Sequence, residues 1–145
     1  MSLGFGVGDF LAVIQLANDL RGRFAQAPKE YKAITEEVES LVLALHHIDD
    51  LDGKEFDSRQ IDEVNKVIKG CQNVLGDLES KLNKLHVLAN DSTPDWKGRV
   101  QQTWRRIRWD QTEVNSYRSR IVSNISLLNL IIGNINKYVN VLPTL

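Results

Sequence analysis

Cysteine is almost missing from this chain: Cys71 stands alone among 145 residues. A single thiol builds neither an intrachain disulfide nor a multi-cysteine metal site. Its place on an apolar helix face makes it a small core residue. Proline occurs only at Pro28, Pro94 and Pro143, so long stretches are free of the residue that most strongly breaks helices. No stretch has the ~18–20 apolar residues that a spanning helix needs. The uncharged run from Ile121 to Asn136 is too short and carries Asn124, Asn129 and Asn134. No basic segment opens the chain and Asp9 interrupts its first apolar run, so no secretory signal is read there. Strict apolar–polar alternation is absent as well, which excludes half-buried strands. A net charge of −1 argues against a chain-wide electrostatic attraction for nucleic acid. The expectation is one domain spanning residues 1–145, in the cytoplasm.

What the sequence does have is helical periodicity. From Val114 to Leu142 apolar residues recur in alternating steps of three and four, the mark of one helix face. Leu127, Leu130 and Ile131 widen that stripe, and a helix apolar over most of its circumference is expected at the centre of a bundle. The same alternation runs through Tyr31, Ile34, Val38, Leu41, Leu45 and Ile48. It recurs through Ile61, Val64, Ile68, Cys71, Leu75, Leu78, Leu82 and Leu85. A helix from about Phe10 to Phe24 precedes these, with Asp9 as its cap and Pro28 in the first turn of the next helix. Gly53 is the expected stop of that second helix. Asp57 with Gln60, and Asp110 with Glu113, have the spacing of capping boxes. Gly70 and Gly76 lower the helix propensity of the third segment and leave room for a neighbour to approach.

A shorter helix, about Trp96 to Arg108, follows the loop around Pro94 and puts Val100, Trp104 and Ile107 on one side. Pro143 closes the last helix. The fold class is therefore all-α: an antiparallel helical bundle of four long helices plus one short helix. Its expected core includes Leu45, Leu75, Leu82, Trp104, Ile121, Leu128, Ile132 and Ile135.

Charge is unevenly spread. Residues 28–58 hold three Lys against nine Asp and Glu, and residues 92–120 hold seven Lys and Arg against three acids. Pairing within the molecule, or solvated faces, is the plain reading; attraction between molecules is the sharper one. Lys97, Arg99, Arg105, Arg106 and Arg108 interleave with Trp96, Trp104 and Trp109. That mixture suits an anionic bilayer surface, nucleic acid, or a helix whose arginine stems cover buried rings.

The chemistry of catalysis is not visible. Gly4, Gly6 and Gly8 lack the spacing of a phosphate-binding loop, with no strand before them and no Lys-Ser/Thr after. Gly4, Gly8 and Ala12 are instead small residues four apart, an arrangement that lets helices approach closely in lipid. His46, His47, Asp49 and Asp50 share a helix but find no second ligand pair, so an exposed, non-ligating cluster is expected. No nucleophile elbow or HExxH occurs. The chain is read as a non-enzyme without metal, cofactor or small-molecule substrate.

Three segments together carry a family resemblance: GFGVGDFLAVIQLANDL, EYKAITEEVESLVLALHHIDDL and WRRIRWDQTEVNSYRSRIVSNISLLNLII. In that order the chain resembles the HeLo-like helical N-terminal domains of fungal STAND/NLR-type and ankyrin-repeat proteins. The resemblance implies the N-terminal part of a longer protein with a role in programmed cell death or heterokaryon incompatibility. It implies action by oligomerisation and by membrane targeting, with recruitment to the plasma membrane on activation. Leu3, Phe5, Val7, Phe10, Leu11 and Ile14 would then meet the membrane, and the basic residues of 97–108 would meet anionic headgroups. Asp9, Asn18 and Asp19 depart from a committed membrane segment and keep a second class open. That class is a protein–protein interaction or autoinhibitory domain whose first helix stays in the core. Nucleic acid is the weakest of the partners considered.

Overall fold

The computed structural model describes the backbone of residues 7–51, 56–88, 104 and 109–141, and the side chains of 9–51, 56–84, 104 and 109–135. None of the described residues lies in a strand. The described residues form the helices α1 Val7–Phe24, α2 Lys32–Asp50, α3 Ser58–Leu88 and α4 Gln111–Val141, with a 3-10 turn Lys29–Tyr31 ahead of α2. Of the short helix expected at 96–108, only Trp104 is described, in helical conformation. Gly53, the Pro94 loop and Pro143 lie outside the described residues.

Local chemistry sets the ends. Asp57 and Gln60 close a reciprocal box on α3: the Gln60 N–H donates to Asp57 Oδ1 at 2.8 Å, and the Asp57 N–H donates to Gln60 Oε1 at 3.0 Å. Two of the orphan donors at a helix start are thereby satisfied. At α4 the arrangement differs from the expected box. Asp110 Oδ1 accepts from the Thr112 N–H at 3.3 Å, while Glu113 turns away to Lys81. A carboxylate with a cation in reach gains more there than at a backbone N–H. Asp9 is not a cap either: α1 begins at Val7, and Asp9 sits in its first turn, where a negative charge complements the helix dipole. Pro28 starts the 3-10 turn rather than α2, with the Tyr31 N–H donating to its carbonyl at 3.0 Å. Tyr31, at φ −104° and ψ 17°, separates that turn from α2, because its ring is drawn into an aromatic cluster described below.

The helices form a ring. α1 packs on α2 and α3, and α4 packs on the same two, so α1 faces α4 across the core. Consecutive helices run in opposite directions. His46 meets Asn18; Lys81, Gly70 and Asp77 meet Glu113, Asn124 and Arg120. Across the ring, however, two neighbouring pairs run in parallel. Arg23 at the end of α1 bonds Asn83 late in α3, and Arg118 early in α4 bonds Glu37 early in α2. The bundle is thus two antiparallel hairpins laid side by side.

The expectation of a central α4 is corrected. α4 is one wall of four: Leu127 is 45% exposed and Leu130 60% exposed, while Ile131 is buried. Its core stripe is narrower than its apolar content suggested. Leu45, Leu75, Leu82, Trp104, Ile121, Leu128, Ile132 and Ile135 are all buried, within a single cluster to which every helix contributes. At Gly70 an added Cβ would lie 2.7 Å from Asn124 Oδ1, whose side chain would have to shift; at Gly76 nothing lies within 4 Å. Of the two glycines, Gly70 is the one that faces α4 closely.

Candidate functional site

The seam that holds α1 in the ring is the part of the molecule on which the functional alternatives turn. α1 places Phe10, Val13, Ile14, Ala17, Leu20 and Phe24 on one face at helical spacing, and all six are buried. At ~1.5–3 kcal/mol for each large side chain, this seam is worth on the order of 10 kcal/mol. That is comparable with the whole stability of a domain, about 5–15 kcal/mol. Against this gross figure stands the cost of ordering the α1 backbone, about 1–2 kcal/mol per residue, which the apolar seam helps to offset.

Polar contacts tie the seam along its length. His46 Nε2 lies 3.3 Å from Asn18 Oδ1, and Arg23 Nη1 donates to Asn83 Oδ1 at 2.9 Å. The Trp104 indole N–H donates to the Arg23 carbonyl at 2.8 Å, beside the Gln26 N–H, which donates to the same oxygen at 3.2 Å. Burial lowers the Arg23 guanidinium from its ordinary value, and Glu79 opposes that shift.

Around Trp104 the rings of Phe24, Tyr31, Trp109 and Tyr117 gather. Trp104 lies 5.0 Å from Phe24, 5.5 Å from Tyr31 and 6.2 Å from Trp109, and Tyr117 lies 5.8 Å from Trp109. These tilted and edge-on arrangements are the favourable ones for aromatic quadrupoles. The Trp109 indole nitrogen is buried with no partner among the described residues. Tyr117 is raised above its ordinary value, first by burial and then by Glu113 and Asp77. The cluster joins α1, the 3-10 turn, Trp104 and α4 at one end of the bundle. Helical periodicity found Trp104 but not the cluster, because Trp109 precedes α4 and Tyr31 lies between helices.

The residues expected to meet a membrane are divided. Phe10 and Ile14 are in the core, and Leu11 is 52% exposed. Leu3 and Phe5, and the side chain of Val7, lie outside the described residues, as do Lys97, Arg99, Arg105, Arg106 and Arg108. The described part of the basic region pairs within the molecule. Arg118 makes a forked bond to Glu37, with Nη2 2.9 Å from Oε1 and Nε 3.0 Å from Oε2. Arg120 reaches Asp77 at 2.8 Å, and Lys81 reaches Glu113 at 3.0 Å. That hydrogen bond to Glu37 raises the Arg118 guanidinium. His46 is half-buried against α1 rather than exposed, whereas His47, Asp49 and Asp50 are exposed. Among the described residues no group of His, Cys, Asp or Glu is placed to hold a metal ion. Among the described residues no helix is long and apolar enough to cross a membrane.

The fold thus defines a class, an all-helical bundle with a sealed first helix. No family model, curated protein or solved structure matches the chain.

Proposed function

We propose that the chain is a non-enzymatic signalling module of the HeLo-like kind: an N-terminal cell-death-execution domain of a fungal NLR-like protein. It acts by oligomerisation and by membrane targeting through α1 and the glycine-rich lead before it. The bundle described above is its closed state, held in the cytoplasm and recruited to the plasma membrane on activation. The observation that carries this is the double character of α1. It is a full wall of the ring, yet what holds it there is one apolar face and the hydrogen bonds at Asn18 and Arg23, contacts that a competing apolar surface could replace. Release trades a buried apolar face for an exposed one, and the cost makes the change conditional on a partner or on assembly. In an interface α1 would lie shallowly with its apolar face down, helped by the basic residues of 97–108 at ~1 kcal/mol each.

A second function has its own support: an interaction or autoinhibitory domain without membrane activity. The burial of Phe10 and Ile14 and the ties at Asn18 and Arg23 suit a first helix that never leaves. Dye release from anionic liposomes separates the two, using wild type and Phe5→Asp under forced oligomerisation. The executioner releases dye and loses that activity in Phe5→Asp, with an unchanged melting temperature. Silence from both proteins leaves the interaction domain, and equal leakage from both removes the lead as the inserting element.

A further inference from the structure

The exposed side of α4 is unlike the exposed sides of the other helices. Between Ile121 and Asn136 it has no charged residue, although it is an outer wall. Its exposed positions fall in two strips, one of Ser119, Ser123, Leu127, Leu130 and Asn134 and one beside it of Val122, Ser126, Asn129 and Gly133. The exposed positions of α2 and α3 include Glu36, Glu39, Asp62, Lys66 and Lys69. A helix face that is wet only ordinarily carries such charges, and exposed leucines without them mark a contact surface.

We propose that this face pairs with the same face of a second copy, through a two-fold axis passing between Ser126 and Leu127 with the two α4 helices antiparallel. The pattern is self-complementary about that point. Ser126 of one copy meets Leu127 of the other, and Ser123 meets Leu130, so each of these two leucines faces a serine. No like charges meet along α4. The contacts of Lys81 with Glu113, Gly70 with Asn124 and Asp77 with Arg120 register α3 on α4, and they set the axis near Ile68 and Lys69. Arg59 and Asp77 lie at nearly equal distances on either side of that level, so each Arg59 comes level with Asp77 of the other copy. The strip is about 22 Å long and ~10 Å wide on each helix. With the flank of α3 the contact buries on the order of 900 Å² in total, short of the ~1,200–2,000 Å² of stable interfaces. The dimer is therefore weak and reversible, populated at roughly 0.1–1 mM or where copies are held together. Lys66 and Lys69 stand nearest the axis on α3, so added salt relieves repulsion there and does not weaken the dimer.

The proposal rests on the self-association in the function above. Sedimentation of the whole chain up to about 1 mM shows a monomer–dimer equilibrium that persists in high salt. Leu130→Asp weakens it at least about tenfold with an unchanged melting temperature, and Leu130→Ser weakens it less. In a Cys71→Ala background a short bis-maleimide joins Ser126→Cys into a covalent dimer far faster than Leu130→Cys. A monomer at every concentration, a dimer indifferent to Leu130→Asp, one dissolved by salt, or equal cross-linking at both positions overturns the α4 pairing. A chain that releases dye yet sediments as a monomer keeps the executioner function and loses this interface; a silent chain that dimerises as described does the reverse.

Discussion

Leu128 has no solvent exposure and lies in the common core. Leu128→Ala removes buried methyl groups and leaves a cavity, at a cost of roughly 2–5 kcal/mol in a denaturant melt; a loss below ~1 kcal/mol would contradict its place there. Cys71 is equally sealed, and burial pushes its thiol from 9.0 up to about 12. The folded protein holds the neutral thiol, so this residue's contribution to stability is complete below pH 9.0 and is lost as the pH climbs towards 12. At pH 8 a disulfide reagent should react with Cys71 only as fast as the bundle unfolds, and at once in denaturant. Fast labelling of the native chain would refute its burial. Such residues were legible beforehand because a three-four alternation names one side of a helix without reference to its partner. Tyr31, Trp109 and Tyr117 were only partly legible, since their meeting depends on how three separate elements converge.

For the helices themselves, existence and type followed from periodicity and capping pairs, while neighbours did not. The uncharged stretch of α4 looked like a central helix. Composition cannot distinguish a helix buried on all sides from a wall helix with serines and leucines facing outward. The parallel pairings of α1 with α3 and of α2 with α4 are likewise set by contacts such as Arg23–Asn83 and Glu37–Arg118, which no local pattern encodes. α3 offers an internal comparison of packing with propensity. At Gly76 a Cβ meets nothing, so Gly76→Ala should stabilise by about 0.5–1 kcal/mol through helix propensity. At Gly70 the same change drives a Cβ against Asn124, whose side-chain amide donates to the Arg120 carbonyl at 2.9 Å. The overpacking cost of ~1–3 kcal/mol then cancels or exceeds the gain. Equal shifts for the two variants in paired melts would mean that α3 and α4 are not closely apposed at Gly70.

At the scale of the whole molecule, the four described helices share one core, and the proposed function rests on the first of them. Sealing α1 buries the apolar face of Phe10, Val13, Ile14, Ala17, Leu20 and Phe24, and under the proposed function that burial is what would make the closed bundle an off state. The basic surface does not enforce that state alone, because Arg118 and Arg120 are already paired with Glu37 and Asp77. The most direct measurement bridges α1 to α2. In a Cys71→Ala background, Asn18→Cys and His46→Cys, whose native side chains meet at 3.3 Å, are joined by a short reducible thiol linker. Leakage from anionic liposomes is then followed before and after reduction. Release of α1 as the active step predicts silence from the bridged protein and leakage once the linker is cut. Leakage from the bridged bundle, or none from either form even when copies are forced together, would contradict it.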